Sequence, residues 1–208
     1  MPKKFYAVRK GKTTGIFDSW EKCKKQVVGF SGAEYKSFLT MGEAESYING
    51  VKAAPVPSGV NESGVDIYGE DTAVAYVDGS YKADTCEFSC GAILFYKGKE
   101  TTFSQKFNDP DMADMRNVAG EIMGSVSVMK YCIENGIQKL VIYHDYEGVA
   151  KWATGGWKAN KTGTRAYVDF CRGAASHLDF SFVKVKGHSG DKFNDMADKL
   201  AKEALGIS

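Results

Sequence analysis

One stretch constrains the fold more than any other: Thr72-Ala73-Val74-Ala75-Tyr76-Val77-Asp78-Gly79-Ser80. A run of Val, Ala and Tyr predicts a buried strand that stops on a carboxylate and turns at the glycine. A carboxylate at a strand end, with a glycine behind it, can face a ligand while the backbone comes close to it. That arrangement suits a metal bound beside a phosphodiester. An Asp-Gly hairpin turn explains the same residues, so the choice between the two rests on the rest of the chain.

Beyond Ser80, apolar runs predict a second strand over 89–96, a turn over 97–100 and a third strand over 101–107, a meander. A long helix is predicted over about 113–134. The fourth strand, 137–144, is a near-continuous apolar run of the parallel-sheet type. A short helix over 147–152, a loop containing Gly155-Gly156-Trp157-Lys158, a helix over 164–176, a fifth strand over 178–186 and a last helix over 191–205 complete the pattern. Strands first, then alternating helices and strands, predict an α/β fold: a mixed sheet with helices on both faces.

Four carboxylates stand out on this frame. Asp78 and Asp145 end the first and fourth strands; if those strands are parallel neighbours, both fall on the edge where α/β proteins bind ligands. Glu121 lies in the long helix among apolar neighbours, with the small Ser125 one turn on, so it can face inward. In the last helix Asp195 and Asp198 compete, and periodicity does not choose between them. Converging carboxylates repel unless cations neutralise them. An oxygen-only donor set, without a His or Cys cluster, points to Mg²⁺ or Mn²⁺ and away from zinc.

Charge separates the chain into two parts. The net charge is +1, but residues 1–50 carry nine Lys/Arg against five Asp/Glu, while residues 71–208 carry seventeen against eighteen. A basic small unit beside a near-neutral larger one fits an anionic polymer held by the first. The five cysteines are scattered and odd in number, which predicts reduced thiols in a cytoplasmic protein. No apolar run has the length of a membrane span, and the first residues show no signal-peptide pattern.

In the N-terminal unit a strand is predicted over 4–9, a turn over 10–15 and a return strand from Ile16. Asp18 or Ser19 caps a helix over 20–27, and a third strand covers 33–38. Thr40 caps a second helix, with Glu43 completing a capping box. Aromatics (Tyr6, Trp20, Tyr35) interleave with cations (Lys10, Lys12, Lys36), as a platform for nucleic acid requires; in so small a unit Trp20 and Tyr35 also serve as candidate core. Residues 51–70, with two prolines and scattered Ser and Gly, are expected to form a flexible linker.

Two resemblances rest on these residues. The run Phe5-Tyr6-Ala7-Val8-Arg9-Lys10-Gly11, with Gly15-Ile16-Phe17, Trp20, Cys23, Val27 and Tyr35-Lys36-Ser37-Phe38, resembles the RNA/DNA hybrid-binding (viroplasmin-like) domain over residues 3–49. The resemblance implies that Trp20 and Tyr35 contact deoxyribose and that Lys36 meets phosphate; Ser37 replaces a second lysine that the family often has. Val77-Asp78-Gly79-Ser80, Asn117-Val118-Ala119-Gly120-Glu121, His144-Asp145 and Val185-Lys186-Gly187-His188-Ser189-Gly190, with Asn194 and Ala197-Asp198 after them, resemble the type 1 ribonuclease H domain over residues 71–208.

This second resemblance implies a five-stranded mixed sheet and selects Asp198 over Asp195. It implies that Asp78, Glu121, Asp145 and Asp198 bind two Mg²⁺ ions, with Mn²⁺ as substitute. The activity implied is endonucleolytic cleavage of the RNA strand of RNA/DNA hybrids, leaving 5′-phosphate and 3′-hydroxyl ends. His188 is implied in proton transfer or product release, and Gly79, Ser80 and Asn117 in reading the RNA 2′-hydroxyl. Asn194 supports Asp198 from one turn away. The expected layout is a ββαβα hybrid-binding domain (1–50), a linker (51–70) and a catalytic domain (71–208), acting as a monomer on a hybrid duplex. Two other readings use the same residues, a hybrid-binding module without catalysis and a DNA nuclease. The four retained carboxylates argue against the first, and Asn117 with the N-terminal domain argues against the second.

Overall fold

A computed structural model describes residues 4–38, 44, 47–48, 52–53, 68–185 and 191–207. In the N-terminal unit, β1 (Phe5–Lys10) is the middle strand of an antiparallel sheet with β2 (Gly15–Phe17) and β3 (Glu34–Phe38). Helix α1 (Trp20–Val27) covers it, and Ser19 is its cap, accepting a hydrogen bond from the Lys22 N–H at 3.4 Å. Val8, Cys23 and Val27 form the buried cluster between helix and sheet. Trp20 and Tyr35 do not belong to it: they are 38% and 45% exposed, so the core alternative for these rings does not hold. Ala44, Tyr47 and Ile48 are helical, while Thr40 and Glu43, the expected capping pair, lie outside the described residues.

The larger unit is built on a mixed sheet. Its five long strands are β5 (Ala73–Lys82), β6 (Glu87–Tyr96), β7 (Lys99–Phe107), β8 (Lys139–His144) and β9 (Asp179–Lys184). Strands β5, β6 and β7 form the antiparallel meander; β8 lies parallel to β5 and β9 parallel to β8. Lys52–Ala53 (β4), inside the stretch expected as a linker, pair in parallel with Ser181 and Phe182 and add a sixth, two-residue strand at the β9 edge.

Helices cover both faces, as the pattern predicts. Helix α3 (Asn117–Glu134) packs on one face with α4 (Glu147–Ala153) and α5 (Thr162–Ala174), and α6 (Lys192–Ala204) on the other. The alternation of β5 divides the core accordingly. Ala73, Ala75 and Val77 enter the large cluster with Ile122, Met129 and Phe180. Val74 and Tyr76 face α6, where Tyr76 stacks on Tyr143 at 4.5 Å and meets Phe193 at 5.3 Å.

Two expectations need correction. The helix predicted over 113–134 begins later, as α3 at Asn117, and a separate short α2 (Pro110–Ala113), capped by the Asp109 side chain, precedes it. Between them Arg116 has φ 55°, a conformation that interrupts a helix without any Gly or Pro to announce it. The second correction concerns Asp78 and Gly79. The strand does not stop there; it runs on to Lys82, paired residue for residue with β6, and the turn comes at residues 83–86. The Asp-Gly hairpin alternative fails with it.

Candidate active site

Glycines explain how the carboxylates meet. Asp78 pairs with Gly91 and Gly79 with Cys90 across the β5–β6 ladder. On one face α3 lies so close that a Cβ on Gly79 would strike the Asn117 carbonyl and the Glu121 amide, while a Cβ on Gly120 would strike the Ser89 carbonyl. On the opposite face a Cβ on Gly91 would strike the Ala197 carbonyl and the Ala201 amide of α6. Gly79 is thus a point of backbone contact and not a turn, and any side chain there would force α3 off the sheet. The two crossings bring Glu121 from α3 and the Asp198 turn of α6 toward Asp78 from either side of the sheet.

Asp145 arrives by a different route. The parallel register of β5 and β8 sets Tyr76 beside Tyr143, and the next two residues of each strand end in Asp78 and Asp145. One carboxylate oxygen from each of Asp78, Glu121 and Asp145 lies within 4.8 Å of the others. Three of the four predicted carboxylates therefore converge. The fourth, Asp198, contributes no atom to that group. Its Oδ2 instead accepts a hydrogen bond from Lys202 Nζ at 2.6 Å, four residues further along α6. Of the two competing aspartates, Asp195 is exposed, whereas Asp198 is half-buried and close enough to raise the pKa of Asp78.

Burial makes this cluster costly. Glu121 is 1% exposed and Asp78 7%. Burial, and then the Asp145 charge, push the Asp78 carboxyl up to about 7, against one opposing hydrogen bond from the Gly79 N–H at 2.7 Å. Burial, with Asp145 and Asp78 next, pushes Glu121 up to about 9; its carboxylate accepts from the Tyr146 N–H at 3.3 Å. Groups this desolvated and this close resist ionising together. A hard cation removes the conflict, and a donor set made only of carboxylate oxygens is of the type Mg²⁺ or Mn²⁺ takes. The residues present fit such an ion, and among the described residues no other group of three or more His, Cys, Asp or Glu converges in this way.

The remaining predicted residues divide by position. Gly79 and Ser80 lie on β5 directly after Asp78, and Asn117 opens α3 with its side chain exposed and its carbonyl against Gly79. Asn194 is buried one turn before Asp198, and its Oδ1 has no hydrogen-bond partner among the described residues. His188 lies outside the described residues. His144 is a core residue: its ring is buried, Nδ1 contacts the Tyr146 carbonyl at 2.9 Å, and burial lowers its pKa to about 4, so it is neutral. His177 is exposed. All five cysteines are free, as expected, and no helix among the described residues is long and apolar enough to cross a membrane.

On the N-terminal unit the predicted aromatics form a ladder, with Tyr6–Trp20 and Trp20–Tyr35 ring centroids each 5.8 Å apart. Lys36 is exposed next to Tyr35, its Nζ 5.6 Å from the Phe38 ring centroid. A half-exposed aromatic row flanked by cations is a surface for sugars or bases with phosphates beside them.

Two features escaped the sequence reading. Lys202 is one; its i, i+4 spacing from Asp198 was the available signal. The other is a cavity of about 380 Å³ beside Tyr146, lined by Met115, Trp152, Lys158, Asn160 and Lys161. Nothing local announces it, because its walls come from α3, α4 and the loop before α5.

Residues 70–206 match the model of the RNase H family, and residues 4–48 match the model described as the ribonuclease H1 N-terminal domain. The chain is 26% identical over 254 residues to Ribonuclease H1 of Rattus norvegicus, covering 96% of this chain and 88% of that protein. It is 30% identical over 149 residues to Ribonuclease H of Chromobacterium violaceum, covering 65% of this chain and 96% of that one. The crystal structure of RNase H1 from the halophilic archaeon Halobacterium salinarum superposes with a TM-score of 0.54 at 21% identity, over 65% of this chain and 98% of the other, a likeness of fold.

Proposed function

The chain belongs to the ribonuclease H family, and from that premise we propose that Asp78, Glu121, Asp145 and Asp198 are the metal-binding and catalytic set of an endonuclease for the RNA strand of RNA/DNA hybrids. The observation that carries the reading is the convergence of Asp78, Glu121 and Asp145 within 4.8 Å in a desolvated site, with Asp198 on the adjoining helix.

The residues divide the work. Asp78, Glu121 and Asp145 would hold divalent cations, two Mg²⁺ or Mn²⁺ ions, with Asp198 completing the set. Bound cations supply charge for the phosphodiester in the transition state and lower the pKa of water. The chain itself fixes the carboxylates: Tyr146 N–H anchors Glu121, Gly79 N–H anchors Asp78, and the glycine crossings leave no room for either helix to drift. Gly79, Ser80 and Asn117 sit beside the cluster, where backbone and amide groups can read a 2′-hydroxyl, the group that separates RNA from DNA. His188, in a segment between two glycines, would move a proton or release product. Tyr6, Trp20, Tyr35 and Lys36 would hold the hybrid through sugars and phosphates.

Strand-labelled hybrid, duplex DNA and duplex RNA of one sequence, incubated with Mg²⁺, test the proposal. The expected result is cleavage of the RNA strand of the hybrid alone, with 5′-phosphate and 3′-hydroxyl ends. Cleavage of duplex DNA, or products with 3′-phosphates, would overturn it.

A further inference from the structure

Helix α6 carries two ion pairs of the same spacing, and they are not equivalent. Lys199 and Glu203 lie 3.7 Å apart on the outer side, both largely exposed. Lys202 and Asp198 lie 2.6 Å apart with Asp198 half-buried. The turn that carries the second pair is the one whose backbone presses on Gly91, and Gly91 is the register partner of Asp78. That turn of α6 therefore lies against the strand position opposite Asp78.

Asp198 is nonetheless absent from the convergent group of oxygens. Its carboxylate is engaged by an ammonium where a fourth carboxylate would otherwise face three others. From this we propose, resting on the metal-dependent nuclease reading, that Lys202 is a stand-in cation: it holds Asp198 in the metal-free protein and must release it before Asp198 can complete the metal set. An Asp to Lys pair at i, i+4 on a helix has the favourable order, and it offsets part of the repulsion that the buried carboxylates impose on the empty fold. The same contact opposes the binding of cation at Asp198. A partly exposed ion pair is a weak competitor, worth up to about a fivefold change in an equilibrium constant, so a divalent ion displaces it readily. Lys202 is thus a positioning residue, with opposite effects on the fold and on the metal site.

The test is calorimetric titration of Mn²⁺ into the full chain at fixed ionic strength, with Lys202→Met, Lys202→Arg and Lys199→Met beside wild type. Lys202→Met is expected to tighten the weaker Mn²⁺ site by about fivefold. Lys202→Arg, which keeps the charge, and Lys199→Met, which removes a charge from the outer pair, are expected to retain the wild-type weak site. Melting gives a second readout. Lys202→Met lowers the Tm in EDTA, and the deficit closes as Mn²⁺ is added; for Lys199→Met any small deficit is independent of Mn²⁺. An unmoved Mn²⁺ affinity in Lys202→Met, or an equal shift in Lys199→Met, overturns the stand-in role while leaving the nuclease reading intact if wild type cleaves hybrid. A wild-type protein that binds no Mn²⁺ overturns both.

Discussion

On the proposed function, the two ends of this molecule meet nucleic acid with opposite physical strategies. In the N-terminal unit the proposed contact side chains are exposed: Trp20 and Tyr35 stand half in water over a buried cluster of three residues, Val8, Cys23 and Val27. In the C-terminal unit the proposed metal ligands are desolvated carboxylates held against a core of more than twenty residues. An exposed aromatic row asks little of its scaffold, because its rings are stable in water and gain by stacking. Like charges placed together out of water destabilise the fold that carries them, so they need a large core to oppose them.

Breaking the second strategy should have the largest effect. Asp145→Asn, which removes charge and almost no volume, is expected to lower hybrid cleavage at least about a thousandfold while hybrid binding persists. Near-wild-type turnover would show that Asp145 is not in the catalytic set. The first strategy should break differently. Trp20→Ala combined with Tyr35→Ala, or removal of residues 1–50, is expected to weaken hybrid affinity on the order of ten- to a hundredfold, with single-turnover cleavage at saturating enzyme little changed. Equal losses in affinity and in the saturated rate would mean that the two units do not divide the work.

The comparison also fixes a pH dependence. Asp78 and Glu121 titrate near 7 and 9 in the folded chain, against roughly 4 in an unfolded one. Protons bind more tightly to the folded state, so the stability contribution is complete below about pH 4 and is lost as pH rises through 7 and 9. In EDTA the Tm should therefore fall between about pH 5 and 9, Asp78→Asn should raise it at neutral pH, and Mg²⁺ should erase much of the difference. A metal-free Tm that rises over that range would contradict the repulsion. The smallest expected effect is Lys36→Ala, one phosphate contact, which should weaken hybrid binding by a few-fold and make it less steeply dependent on salt.

The two regions also differ in how far the sequence discloses them. Local signals carried the N-terminal unit: a Ser cap, an eight-residue helix and short strands fell within a residue or two of prediction. In the larger unit the meander and the mixed sheet came from pattern, and the four carboxylates, three of which converge, from pattern and resemblance together. The misreadings there arose where distant backbone decides local conformation. Gly79 has the sequence of a turn, but it is a glycine because α3 lies on it. The break at Arg116 has no Gly or Pro to mark it. Lys52–Ala53 read as linker because their pairing partners lie about 130 residues away, a separation no window detects. Asp198 was distinguished from Asp195 by resemblance and then by burial, never by periodicity, since both lie on one amphipathic helix.

The most direct test of the central claim is cleavage of an end-labelled RNA/DNA hybrid by wild type and by Asp145→Asn, each with Mg²⁺ and with EDTA. The account predicts that wild type with Mg²⁺ cuts the RNA strand alone, and that the other three reactions leave a bound, uncut hybrid. Cutting in EDTA, or by Asp145→Asn at the wild-type rate, would contradict it.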